Sequence, residues 1–114
     1  MTKAHARLLV FSSPRSVSDE REFDDWYDEV HIPQVVEVVP GVISGQRFVL
    51  SPTQLGVEVA SGPRRRLTIY EVEAGRVAEV VSGLGAALRD GTLDQTELID
   101  RTSAPPEVVV YEAG

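Results

Sequence analysis

Three side chains within one turn of a predicted helix, Tyr27, Asp28 and His31, have types and spacing that could move a proton. An imidazole titrates near neutrality, so it can both accept and donate a proton at physiological pH. Tyr27 and Asp28 precede His31 by four and three residues, which puts both on the turn behind it. An Asp28 carboxylate bonded to one ring nitrogen would raise the basicity of His31 and leave the other nitrogen free as a general base. The same position also suits a plain helix end. A cation there complements the dipole, and ring donors reach carbonyls left free ahead of Pro33.

The neighbours admit two uses each. Trp26 serves either as a core or interface aromatic or as a platform for a substrate ring. Tyr70 shares a strand face with Thr68 and Val72, from which its hydroxyl could assist His31. Arg47 could hold a substrate carboxylate or steady an oxyanion in bidentate fashion, or it could close an ion pair between subunits. The acids Asp24, Asp25, Asp28 and Glu29 spread round the helix and read as solvated charges, with His31 the single nearby nitrogen ligand. No metal and no cofactor is expected. Cysteine is absent, which removes thiol nucleophiles and thiolate sites, and neither a phosphate-binding loop nor a nucleophile elbow occurs.

The elements that must position these residues follow from periodicity. Residues 6–12 read as a strand buried on both faces, and Ser16 or Ser18 caps a helix beginning near Ser18. Phe23, Trp26, Tyr27, Val30 and Gln34 form its inward stripe. Pro33 is expected to interrupt that helix by pushing Ile32 out of helical geometry, and to open a short second helix over 33–39. Pro40-Gly41 turns the chain into a strand over 42–50, with Val42, Ser44, Gln46, Phe48 and Leu50 on one face and Ile43, Gly45, Arg47 and Val49 on the other. The alternation of Val57 and Val59 with Glu58 suggests a short hairpin in the connection over 51–65, and Arg64-Arg65-Arg66 reads as a solvated run leading into a strand over 67–72. A helix follows from about Gly75 to Arg89, then an irregular connection to Pro106 and a last strand over 107–111. The order strand, helix, strand, strand, helix, strand predicts an α+β fold, a ferredoxin-like βαββαβ plait with two helices on one face of a four-stranded antiparallel sheet. The opposite face needs a cover, for which a second copy of the sheet, hence a homodimer, is the simplest.

A chain of 114 residues without a composition break predicts one domain spanning 1–114. A formal charge of -7 argues against nucleic acid as partner. No stretch approaches the ~20 apolar residues of a membrane span and no secretory signal is evident, so a cytoplasmic protein with no membrane partner is expected.

The segment WYDEVHIPQVVEVVPGVISGQRF, with LTIYEVE after it and VVVYE near the end, resembles the dimeric alpha/beta-barrel superfamily, and within it the EthD-like branch of uncharacterised small proteins. The resemblance covers element order along nearly the whole chain, and its sequence-specific part is residues 23–48. It implies two plaits paired into a barrel, with a pocket between sheet and helices in each subunit. His31 falls where the family has the histidine ending its first helix, and Trp26 and Tyr27 match its aromatic neighbours. Some members use a tyrosine and a histidine to polarise a carbonyl and abstract a proton; haem-using members need a second well-placed histidine, and here only His5 remains. The expectation is a cofactor-independent enzyme of isomerase, cyclase or monooxygenase type acting on a hydrophobic or aromatic small molecule. The alternatives are a non-catalytic binding or accessory protein of a catabolic or biosynthetic pathway, and a dimeric scaffold with a packed His31.

Overall fold

The computed structural model describes residues 5–114. Strands β1 (Ala6–Ser12), β2 (Val42–Val49), β3 (Arg66–Val72) and β4 (Glu107–Glu112) form one antiparallel sheet in the order β2-β3-β1-β4. Helical structure fills the first crossover from a 3-10 turn at Val17–Asp19 through α1 (Glu20–Trp26), a π-helical turn (Tyr27–His31) and α2 (Ile32–Val38), and α3 (Val77–Arg89) fills the second. This α+β arrangement is compatible with a ferredoxin-like plait.

One sheet face carries the core. Ala6, Leu8 and Val10 of β1 and Tyr70 and Val72 of β3 are buried against Phe23, Tyr27, Ile32 and Val35 from the first helical stretch and Val80, Leu84 and Ala87 from α3. Period-2 alternation puts Arg7, Leu9 and Phe11 on the other face, where they are half-buried. In the single chain β1 is therefore buried on one face, not on both. Leu67, Ile69 and Glu71 also lie on the uncovered face, as their separation from Thr68, Tyr70 and Val72 predicts.

Pro33 does not push Ile32 out of helical geometry. Ile32 has φ -60° and ψ -48°, and the chain stays helical from Glu20 to Val38. The proline is accommodated one turn earlier: the Ile32 N–H reaches back five residues to the Tyr27 carbonyl, a π-type bond, and α2 restarts with Pro33 in its first turn. Proline donates no bond at this point, and the change to five-residue bonding in the preceding turn is where the continuous helix absorbs it.

Two further expectations are corrected. A bulge between Val42 and Ser44 turns Val42 toward the helices while Ser44, Gln46 and Phe48 stay on the open face. Residues 51–65 hold no hairpin; Leu50 N–H bonds the Arg65 carbonyl, and Leu55 and Val57 project into solvent.

Candidate functional site

A cleft of about 240 Å³ opens between the sheet and the helices. Trp26, Tyr27, His31 and Val35 form one wall, Leu84 and Leu88 of α3 another, and Val10, Tyr70 and Val108 the sheet floor. The connection over 91–106 closes the side with Asp94, Gln95, Thr96, Ile99 and Arg101. Four of the six predicted site residues, Trp26, Tyr27, His31 and Tyr70, thus meet in one mostly apolar cavity.

His31 is held by aromatic rings. Trp26 stacks on it with centroids 4.8 Å apart and planes 18° off parallel, and Tyr27 meets it edge-on at 5.0 Å. Phe23 supports Tyr27 from behind at 4.8 Å. The Nδ1 atom of His31 is enclosed and has no hydrogen-bond partner. Burial lowers the pKa of the ring to about 4, because desolvation penalises the imidazolium and no carboxylate compensates. The ring is therefore neutral at physiological pH.

The two tyrosines differ in their partners. Tyr27 accepts a hydrogen bond from the Ser12 hydroxyl at 3.1 Å, and burial raises its pKa against smaller opposing effects of that bond and of the Arg101 charge. The Tyr70 hydroxyl is buried without a partner, and burial, then the neighbouring Tyr27, push its pKa far up. It keeps its proton and is a hydrogen-bond donor in search of an acceptor. The Tyr70 ring lies directly over Gly45 of β2, where an added Cβ would sit 2.7 Å from two of its carbons. Glycine at 45 is what lets the ring lie flat on the sheet.

Asp28 and Arg47 are elsewhere. Arg47 donates from Nε and Nη2 to the two Asp28 oxygens at 3.0 and 2.8 Å, and its Nη1 lies 3.2 Å from Asp24. Asp28 is thereby engaged by an arginine on β2, so it does not orient His31, and Arg47 is paired within its own chain. The reading of His31 as a C-terminal cap is likewise corrected: the helix runs on for seven residues beyond it.

These contacts belong to a ladder that sequence reasoning missed. Glu20, Asp24 and Asp28 recur every four residues and face arginines from two neighbouring strands. Arg66, 3% exposed, binds Asp24 through two bonds of 2.9 Å and Glu20 at 2.7 Å, and its guanidinium lies 5.9 Å from the centre of the Phe23 ring. Nor is Arg65 a solvated charge. It donates to Ser13 Oγ and to the carbonyls of Ala104 and Pro105, and pairs with Glu107. The signal was the four-residue recurrence of acids, obscured by Asp25 and Glu29 among them.

No metal-type cluster of three or more His, Cys, Asp or Glu side chains forms among the described residues, and of Asp24, Asp25, Asp28 and Glu29 two, Asp24 and Asp28, are paired with arginine. Among the same residues no helix is long and apolar enough to cross a membrane. Compared with protein-family models, curated proteins and solved structures, the chain matches none.

Proposed function

We propose that the cleft binds a small hydrophobic or aromatic molecule whose polar end is received by His31 and Tyr70. One observation carries this reading: His31 and Tyr70 line the same apolar cavity, and each has a buried polar atom, Nδ1 and the hydroxyl, without a hydrogen-bond partner. Each unsatisfied buried group costs about 1–3 kcal/mol, a cost that folding alone does not recover and a bound oxygen or nitrogen would. The stacked Trp26 and His31 rings offer a flat wall suited to a planar ligand. Asp28, engaged by Arg47, and the low basicity of His31 favour binding without turnover as the first reading.

Proton transfer is the second reading, with the chain a cofactor-independent enzyme of isomerase, cyclase or monooxygenase type. It is favoured by a neutral imidazole, already in its base form, lining the same cavity as a tyrosine that has kept its proton. The bicyclic enolisable ketone 2-tetralone separates the readings. Trp26 is the single tryptophan, so its fluorescence reports the cleft directly. Saturable quenching by 2-tetralone that is lost when Val108→Phe fills the cleft from its floor supports binding, and quenching unchanged in that variant sinks it. Exchange of the ketone's α-protons with deuterated solvent, catalysed by the wild type and abolished in His31→Phe, establishes proton transfer; no exchange above buffer leaves binding alone.

The wider proposal is a plait paired with a second copy as a dimeric alpha/beta barrel of the EthD-like kind. Its support is the sheet face turned away from the helices, on which Leu9, Phe11, Phe48, Leu67, Ile69, Val109 and Tyr111 gather with no helix or strand of the described residues above them. Sedimentation equilibrium is expected to give twice the chain mass for the wild type and the single mass for Ile69→Glu. A monomeric wild type overturns the pairing.

A further inference from the structure

Arg101 gives the cleft a charge preference, an inference that rests on the binding reading above. It lines the same cavity as His31 and Tyr70 but sits on the connection that closes the side, away from the stacked rings. With His31 neutral, Arg101 is the single formal positive charge on that wall. Among the described residues it forms no ion pair, and its one side-chain bond is a long one of 3.3 Å to the Thr96 carbonyl. Arg47, Arg65 and Arg66 all have carboxylate partners; Arg21, Arg64 and Arg89, like Arg101, have no ion pair among the described residues, but Arg101 is the arginine that lines the cleft.

The segment bearing Arg101 is tied down. Asp100 N–H bonds the Ser13 carbonyl at 2.8 Å, and the Arg15 N–H bonds the Leu98 carbonyl at 2.8 Å. The Asp100 carboxylate accepts three successive backbone N–H groups, from Thr102 and Ser103 at 3.0 Å and Ala104 at 3.1 Å. A guanidinium on so fixed a backbone loses less freedom on binding than one on a loose loop. Its field already reaches into the cleft, where it opposes the upward push of burial on Tyr27.

We propose that the cleft selects a small planar aromatic acid, its ring against Trp26 and His31, an oxygen at its inner end taking the Tyr70 hydroxyl, and its carboxylate held by Arg101. Size limits the ligand: 240 Å³ is below the ~300–1,000 Å³ usual for drug-sized sites, which favours a one- or two-ring acid. Asp94 also lines the cavity, and a formal charge of -7 repels anions from the protein at large, so acceptance of an anion depends on Arg101. An aryl amine, by contrast, would be drawn to Asp94 and repelled by Arg101.

Two probes of the same shape test this, 6-hydroxy-2-naphthoate and its neutral carboxamide, titrated by calorimetry into the wild type, Arg101→Gln and Arg101→Lys. The expected result is that the acid binds the wild type about tenfold or more tightly than the amide, the worth of a charge-assisted hydrogen bond. Arg101→Gln should remove that preference by weakening the acid alone, and Arg101→Lys should retain part of it. Equal affinity of acid and amide for the wild type, or a preference that survives Arg101→Gln, overturns the anion inference while leaving the cleft as a binding site. If neither compound binds and 2-tetralone does not quench Trp26, the binding reading falls and this inference with it. Arg101 is exposed, so loss of folding does not confound the comparison.

Discussion

Replacing His31 by phenylalanine should stabilise the protein at neutral pH and flatten its response to acid, while removing ligand binding. The unfolded chain takes up a proton on this ring as the pH falls through 6.5; the folded chain does so only near 4, because burial disfavours the imidazolium. Between those values the unfolded state holds the extra proton, so stability is intact above pH 6.5 and is lost progressively as pH falls toward 4. At about 1.4 kcal/mol per pH unit the interval corresponds to ~3 kcal/mol, and residual solvent contact of a ring at a cleft wall brings it to about 2–3 kcal/mol. At pH 7.5 the variant also loses the unsatisfied Nδ1, which is expected to make it about 1 kcal/mol more stable. Urea unfolding of both proteins at pH 7.5, 6.5, 5.5 and 4.5 measures the difference directly, and carboxylate titration common to the two cancels. The variant's advantage should grow with each step down in pH. A difference that stays constant across the series would mean that the ring is solvated or partnered, and the argument from an orphaned histidine would be wrong.

Arg66→Met should destabilise the fold by about 2–4 kcal/mol in urea melts, somewhat below the usual cost of breaking a buried pair because Asp24 and Glu20 are still about a quarter exposed. A loss under ~1 kcal/mol would show that the carboxylates rehydrate and that the arginine ladder does not anchor the first helix. Gly45→Ala should cost about 1–3 kcal/mol by overpacking, since its Cβ meets the buried Tyr70 ring at 2.7 Å and Ile32 at 2.9 Å. The ring's way out is toward the cleft, so affinity for 2-tetralone should fall with stability; unchanged affinity would place the displaced ring elsewhere.

The fold was readable because its signals are local. Alternation in Leu67–Val72 and the three- and four-residue steps of Val77, Val80, Val81, Leu84 and Leu88 each specify an element without reference to the rest of the chain. The site was readable in its aromatic half for the same reason, because Trp26, Tyr27 and His31 are neighbours on one helix. What escaped depends on pairing across the sheet. Whether Asp28 serves His31 or an arginine is decided by Arg47, nineteen residues on and placed by a strand register that a bulge has shifted. Arg66 looked like part of a basic loop because burial of a guanidinium needs carboxylates from another element, and nothing adjacent in sequence announces them. Arg101 lay in a connection without periodicity, where no pattern separates a cleft residue from a surface one.

The π turn joins these halves, and Pro33 supplies its physical reason. In a regular α-helix residues five apart are about 140° apart round the axis, so Trp26 and His31 would point in different directions and could not stack. A turn closed by a five-residue bond brings them back to the same side, which is where their rings lie 4.8 Å apart. The proline that breaks regular α-helical bonding at this point is thus also what faces the histidine with a flat indole and buries it. Burial then lowers its basicity and leaves Nδ1 without a partner. A residue first read as a helix terminator is, by this chain of consequences, the origin of the cleft's most distinctive group, and π turns retained at a cost in helix regularity are commonly found at functional sites.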